Sequence, residues 1–292
     1  MAGSPAQDVK KPMAIKLIAL LSIVRWYNIL LTVFAQYLSA YVLLRDADHS
    51  LWLLFTDLKL HAIVLASVFS IAAGFIINNF YDFEKDLINR PEATLFNKWI
   101  SKQSTLNFYI LFNAISILVA FSASWKIGVF FLAFITALWV YSHKLQRTPF
   151  IKELAASVLS IACFFAVLLH YSRFYPYIFI YGAFYTSLVY SRELVKQFIN
   201  YTGDLALGIQ SLPVSLGPEK ARAFSEFVMV LSLLGGLGIL LHDGLILRNY
   251  YILFTILMVL VIILLMQQSR YRSVNTIYKI LLIGGIVNIL WM

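Results

Sequence analysis

The sequence predicts an all-α fold: a polytopic membrane bundle of about nine transmembrane helices. Three observations predict it. Apolar residues fill 61% of the 292 positions, and the mean hydropathy is +0.81, outside the range of soluble globular domains. The apolar residues recur in many stretches long enough to cross a bilayer, too many for a single anchor. Period-2 alternation, the mark of a transmembrane barrel, is scarce. The one cysteine, Cys163, lies in an apolar run. It excludes an internal disulfide and reads as a small packed core residue.

Taken in order, residues 1–12 are polar and read as a disordered cytoplasmic tail, with 13–292 as one transmembrane domain. Lys10, Lys11 and Lys16 precede the first apolar segment, and no small-residue cleavage site follows a short core, so this is an uncleaved span rather than a signal peptide. The expected spans are 17–44, 61–81, 104–124, 126–142, 153–171, 174–196, 221–241, 249–267 and 276–291. With residue 1 in the cytoplasm, the tail and the segments near 82–103, 143–152, 192–220 and 268–279 share one side. Together with Arg25 they hold 18 of the 23 basic residues; the other side keeps Arg45, Lys59, Lys126, Arg173 and Arg248. That bias puts the N-terminus in the cytoplasm and the C-terminus on the opposite side. It accounts for the net charge of +9 without nucleic acid. Asp46, Asp48 and His49, on the far side, read as a solvated loop rather than a metal site.

The second span ends in Asn78-Asn79-Phe80-Tyr81-Asp82-Phe83-Glu84-Lys85-Asp86. Carboxylates at the end of a membrane helix are costly unless they are paired, so they are candidates for function. Asn78, Asp82 and Asp86 recur every four positions, one turn apart on one helix face. Such a stack offers hard oxygen ligands to Mg²⁺, which takes a few protein oxygens plus substrate phosphates. Spacing alone equally fits a solvated polar cap. The balance tips at a second polar segment, Arg192 to Asp204, which also follows an apolar span on the same face. There Glu193, Gln197, Asn200 and Asp204 form one expected helical stripe. Arg192, Lys196 and Asn200 form an adjacent one. Asp82 and Asp86 superpose on Asn200 and Asp204 with a shift of 118 residues, a faint internal echo. Gly203 and Gly208 offer places for the helix to end and a loop to turn over the site. Between the two segments, Tyr141 to Pro149 brings Lys144 and Arg147 to the same face, with His143 read as packed or solvated. Acids and amides on one wall with Arg and Lys on another suit a diphosphate.

Together these residues resemble the UbiA superfamily of intramembrane prenyltransferases. The likeness rests on Arg25 and Asn28, on Asn78-x-x-x-Asp82-x-x-x-Asp86 followed by Ile88-Asn89-Arg90-Pro91, on Tyr141-x-x-Lys144, and on Arg192-Glu193-x-x-Lys196 leading to Gly203-Asp204 and Leu212-Pro213-Val214. The details are most similar to the branch containing the geranylgeranylglycerol-phosphate geranylgeranyltransferases. The resemblance implies a bundle with a central cavity capped by the two polar loops, a prenyl diphosphate donor, a lipophilic acceptor (a glycerol-phosphate lipid or a quinol precursor), and Mg²⁺ as cofactor. The partners it implies are these substrates and membrane lipids. By that likeness Asn78, Asp82 and Asp86 serve one metal, and Asp204 with Asn200 and position 197 the other. Asp82, Asp86 and Asp204 form the catalytic set, and Arg25, Asn28, Tyr141, Lys144, Arg192 and Lys196 meet the substrates.

The chain departs from the family pattern. Asn79, Gln197 and Asn200 stand where acids are usual, and 92–99 replaces an arginine- and glycine-containing stretch. Each amide keeps an oxygen ligand and loses a charge. The second metal site then leans on Asp204, with Glu193 or Glu84 as partner. Three other readings stay open: a relative that has lost catalysis and binds lipid or a partner, a terpene cyclase with the same ionisation chemistry, and a transporter. The one-sided polar clusters and the lack of paired broken helices weigh against the last.

Overall fold

A computed structural model describes residues 13–44, 50–89, 100–145, 148–242 and 246–289. The expected tail, the Asp46–Asp48–His49 loop, Arg90 and Pro91 with 92–99, and Arg147 lie outside the described residues. Within them the chain forms helices α1 (Met13–Ile23), α2 (Trp26–Leu44), α3 (Ser50–Thr56), α4 (Leu58–Asn89), α5 (Lys102–Ala123), α6 (Trp125–His143), α7 (Ile151–Tyr171), α8 (Pro176–Ile199), α9 (Tyr201–Ala206), α10 (Leu212–Leu216), α11 (Pro218–His242), α12 (Ile246–Gln267) and α13 (Tyr271–Asn288), and no strand.

Nine of these helices run 18 residues or longer among the described residues, one for each expected span. Five contain stretches long and apolar enough to cross a membrane: Leu58–Glu84, Lys102–Ala123, Trp125–His143, Ile151–Tyr171 and Pro218–Ile239. The count of nine crossings stays an expectation.

Two expected continuous helices are broken. The first span divides between α1 and α2, where Arg25 takes φ +50°. An L-residue in that region is disfavoured by about 1–2 kcal/mol. The hydrogen-bond ladder bridges the break through Val24 N–H to Leu20 O, Arg25 N–H to Ser22 O and Asn28 N–H to Arg25 O, and the Arg25 guanidinium sits 5.3 Å over the Phe75 ring of α4. The second break follows Ile199, where Asn200 caps α8 with φ −94° and ψ 2°. Asp204 therefore sits on α9, the short helix that follows α8. The Asn200 N–H still reaches the Lys196 carbonyl at 3.1 Å and the Asp204 N–H the Asn200 carbonyl at 3.0 Å, so Asn200 and Asp204 keep the one-turn spacing that Asp82 and Asp86 have on α4.

The helices pack as two sub-bundles. One gathers α2 to α7, with α4 against α5 as its most extensive pairing; the other gathers α8 and α10 to α13. Contacts of α7 with α8, of α2 with α13 and of α9 with α4 join them. Polar side chains fix the helices internally, as a lipid-facing bundle requires. The Gln36 amide donates to Ser67 Oγ at 2.8 Å and to the Cys163 carbonyl at 3.0 Å, tying α2, α4 and α7 together. Cys163 is buried there, as its apolar run predicts. Tyr185 on α8 donates to the Leu282 carbonyl of α13 at 2.8 Å. At the end opposite the polar motifs, Asp57 accepts from His170 Nε2 at 2.8 Å, Tyr171 OH at 3.0 Å and the Leu60 N–H at 3.0 Å, pinning the start of α4 to α7.

Candidate active site

Antiparallel packing brings the end of α4, the end of α6, the start of α7 and the end of α8 to one side of the bundle. These are the places where the sequence puts its polar groups. On α4 the Asn78 amide donates to Asp82 Oδ2 at 3.0 Å, one turn on, which confirms the shared face and leaves the Asn78 carbonyl oxygen as a donor atom. Asp86 follows one further turn along, half-buried, whereas Glu84 is exposed. The hydroxyl of Tyr81 meets His143 Nδ1 at 2.9 Å, and Trp139 stacks on the same imidazole at 5.2 Å. His143, though exposed, thus links α6 to α4.

The second motif is divided among several tasks. Glu193 is held by Lys196 at 2.5 Å and lies 3.9 Å from Arg192. The Nε–H of Arg192 donates to Asn275 Oδ1 of α13 at 3.0 Å. The Gln197 carbonyl accepts the Leu212 N–H at 2.6 Å and anchors the start of α10. Its oxygen is committed to the backbone at the position where the family pattern has an acid. Asp204 is fully buried on α9, which packs on α4. Gly208, at φ +64°, lets the chain leave α9, and the Ile209 N–H returns to the Asp204 carbonyl at 2.8 Å. Gly203, expected as a second turning point, lies inside α9.

Charge gathers around Tyr141, which lies within electrostatic reach of Glu193, Asp82, Glu153 and Arg25. Lys196 shares that reach with Glu193, Arg192 and Arg25. The structure therefore brings together Arg25, Asp82, Tyr141, Arg192, Glu193 and Lys196 from four separated parts of the sequence. Asn28 stands beside them at the start of α2, half-buried, and Lys144 stands exposed at the cap of α6. Glu153 was missed in the sequence. It sits in the first turn of an apolar helix, where a carboxylate is ordinary because it meets the helix dipole favourably. The sign that it differs is burial, at 1% exposure, which the sequence does not show.

Among the described residues no three His, Cys, Asp or Glu side chains converge on a preformed metal cage. Mg²⁺ does not need one, since it is held by one or two carboxylates plus substrate phosphate oxygens. Asp82 and Asp86, with the Asn78 oxygen, meet that requirement. The second set is thinner: Gln197 is committed to Leu212 and Glu193 is ion-paired, which leaves Asn200, whose side chain makes no capping bond to α9, and Asp204 on α9, which packs on α4.

Toward the opposite half of the bundle, an apolar cavity of about 150 Å³ lies between α2, α7, α8 and α13, lined by residues including Leu43, Phe165, Tyr181, Tyr185 and Ile286.

Comparison with known proteins places this architecture. A model of the UbiA prenyltransferase family matches residues 29–283. A digeranylgeranylglyceryl phosphate synthase from Pyrococcus horikoshii is 29% identical over 178 residues, 60% of this chain and 63% of that one; this match spans less than two thirds of the relative's length. One from Methanobrevibacter smithii is 24% identical over 244 residues, 79% of this chain and 84% of that one. Among solved structures, a UbiA homolog from Archaeoglobus fulgidus bound to GPP and Mg²⁺ superposes with a TM-score of 0.67 at 17% identity, covering 94% of this chain and all of that one. The apo form of a homolog from Aeropyrum pernix superposes with a TM-score of 0.68, also at 17% identity, covering 88% of this chain and 96% of that one.

Proposed function

This chain, a multi-pass integral membrane protein, belongs to the UbiA prenyltransferase family, and from that premise we propose that it moves an isoprenoid chain from a prenyl diphosphate to the hydroxyl of a lipophilic glycerol-phosphate acceptor, releasing pyrophosphate. The observation that carries the reading is the meeting of the Asp82 face with Arg25, Tyr141 and Lys196 at one end of the helical bundle. The names of the relatives supply the acceptor class.

In this mechanism the cations Arg25, Lys144 and Lys196 hold the diphosphate. The isoprenoid runs between the apolar helices, and the cavity between α2, α7, α8 and α13 suits the far end of a long chain. When bound, Mg²⁺ at Asn78, Asp82 and Asp86 supplies charge neutralisation of the leaving pyrophosphate. Positive groups aimed at that charge favour ionisation of the allylic carbon–oxygen bond, and the buried setting strengthens them. The α9–α10 segment, pinned by Gln197, covers the site and excludes water from the cation that develops. The positive-inside bias of the loops supports a cytoplasmic position for this end and for the N-terminus, with the C-terminus opposite.

Purified protein incubated with Mg²⁺, geranylgeranyl diphosphate and geranylgeranylglyceryl phosphate should yield the diether lipid by mass spectrometry, and Asp82→Ala should not. One observation favours a second reading, a non-catalytic lipid-binding relative: the carbonyl oxygen of Gln197 already accepts the Leu212 N–H. Donor binding without turnover would select that reading.

A further inference from the structure

Joining a hydroxyl to an allylic carbon releases a proton, and the functional reading gives the carboxylates of the two motifs to metal and ion pairs. Asp82 accepts from Asn78 and faces the metal site. Glu193 is held by Lys196 and Arg192. Building on the functional reading above, we propose that Glu153 is the general base that receives the proton of the acceptor hydroxyl.

The carboxylate of Glu153 is 1% exposed. Lys152 Nζ lies 3.4 Å from Oε1, and neither oxygen accepts a well-formed hydrogen bond from a described group. A buried carboxylate left this poorly satisfied is costly to the fold, a cost that marks functional sites. The charged and titratable groups that face it come from three elements: Lys152 on its own helix, Tyr141 on α6, and Tyr190 and Glu193 on α8. Through Tyr141 it shares an environment with Asp82 and Arg25, the groups assigned to the diphosphate end. A buried carboxylate at the polar end of the bundle, ion-paired with Lys152 through Oε1 and with no hydrogen bond from a described group on Oε2, is suited to proton removal in a dry site.

The step balances. The donor carbon–oxygen bond breaks, and its electron pair leaves on the diphosphate. A lone pair of the acceptor oxygen forms the new ether bond. The hydroxyl proton passes to the Glu153 carboxylate, which later gives it to water.

The test compares wild type, Glu153→Gln and Glu153→Asp in lipid nanodiscs with Mg²⁺, geranylgeranyl diphosphate and geranylgeranylglyceryl phosphate, across pH. Glu153→Gln should lower kcat for ether formation roughly 100-fold or more, the range of lost general base catalysis. Its KM for the donor and its Tm should hold, and the acid limb of the kcat profile should vanish. Glu153→Asp should restore part of kcat and the limb. Retained kcat, or a loss with the acid limb unchanged, overturns the role of Glu153. Wild type that forms no ether with this acceptor overturns the functional reading instead, and this role with it.

Discussion

Gln197 shows how one residue is drawn from chemistry into architecture. Its oxygen holds the Leu212 N–H at 2.6 Å in a fully buried setting, and removing a buried partner leaves the amide proton unsatisfied. Gln197→Ala should lower unfolding stability by about 1–3 kcal/mol, read as a reduced Tm. Asp204, by contrast, should act on metal use: Asp204→Asn should raise the Mg²⁺ concentration needed for half-maximal activity, and an unchanged Mg²⁺ titration would remove it from the second site. At the far end of the bundle, burial pushes the Asp57 carboxyl up, but hydrogen bonds from His170, the Leu60 N–H and Tyr171, with the His170 charge, hold it below its ordinary 3.8. A depressed carboxylate contributes stability above the unfolded value and loses it as pH falls through the folded one. Stability should therefore drop below about pH 4 in wild type, and that drop should shrink in Asp57→Asn, which acid titration followed by circular dichroism can check. Asp82 and Asp86 were legible because an i, i+4 repeat survives folding on one helix. Glu153 was not, because burial is a tertiary property.

At the scale of elements, the helix stretches were read well and their interruptions poorly. Apolar length declares a helix, but nothing in the residues around Arg25 announces a break; the backbone takes φ +50° there, with the guanidinium over Phe75 of α4. The expected stripe from Glu193 to Asp204 is divided between α8 and α9 at Asn200. Beyond Asn200 the chain enters α9, which carries Asp204 and packs on α4. Gly208 was read as a turning point, and its left-handed backbone bears that out. Space around it is open, so a methyl group would clash with nothing and only the backbone would object. Gly208→Ala should cost about 1 kcal/mol, Gly208→Asn less, both measured as Tm shifts.

For the whole molecule, membrane class, family and the polar end of the bundle were all legible, since composition and separated motifs carry them. The topology adds a prediction of its own. Ser101 and Ser172 are exposed at opposite ends, and Cys163 is buried. In intact cells an impermeant thiol reagent should label Ser172→Cys, and should label Ser101→Cys only after permeabilisation. The central claim, Mg²⁺-assisted transfer of a prenyl group, is tested most directly by pyrophosphate release from geranylgeranyl diphosphate by purified protein, with and without Mg²⁺ and acceptor, beside Asp82→Ala. Release should need both Mg²⁺ and the acceptor and should be lost in the variant. Release that persists without Mg²⁺, or that proceeds unchanged in Asp82→Ala, would contradict it.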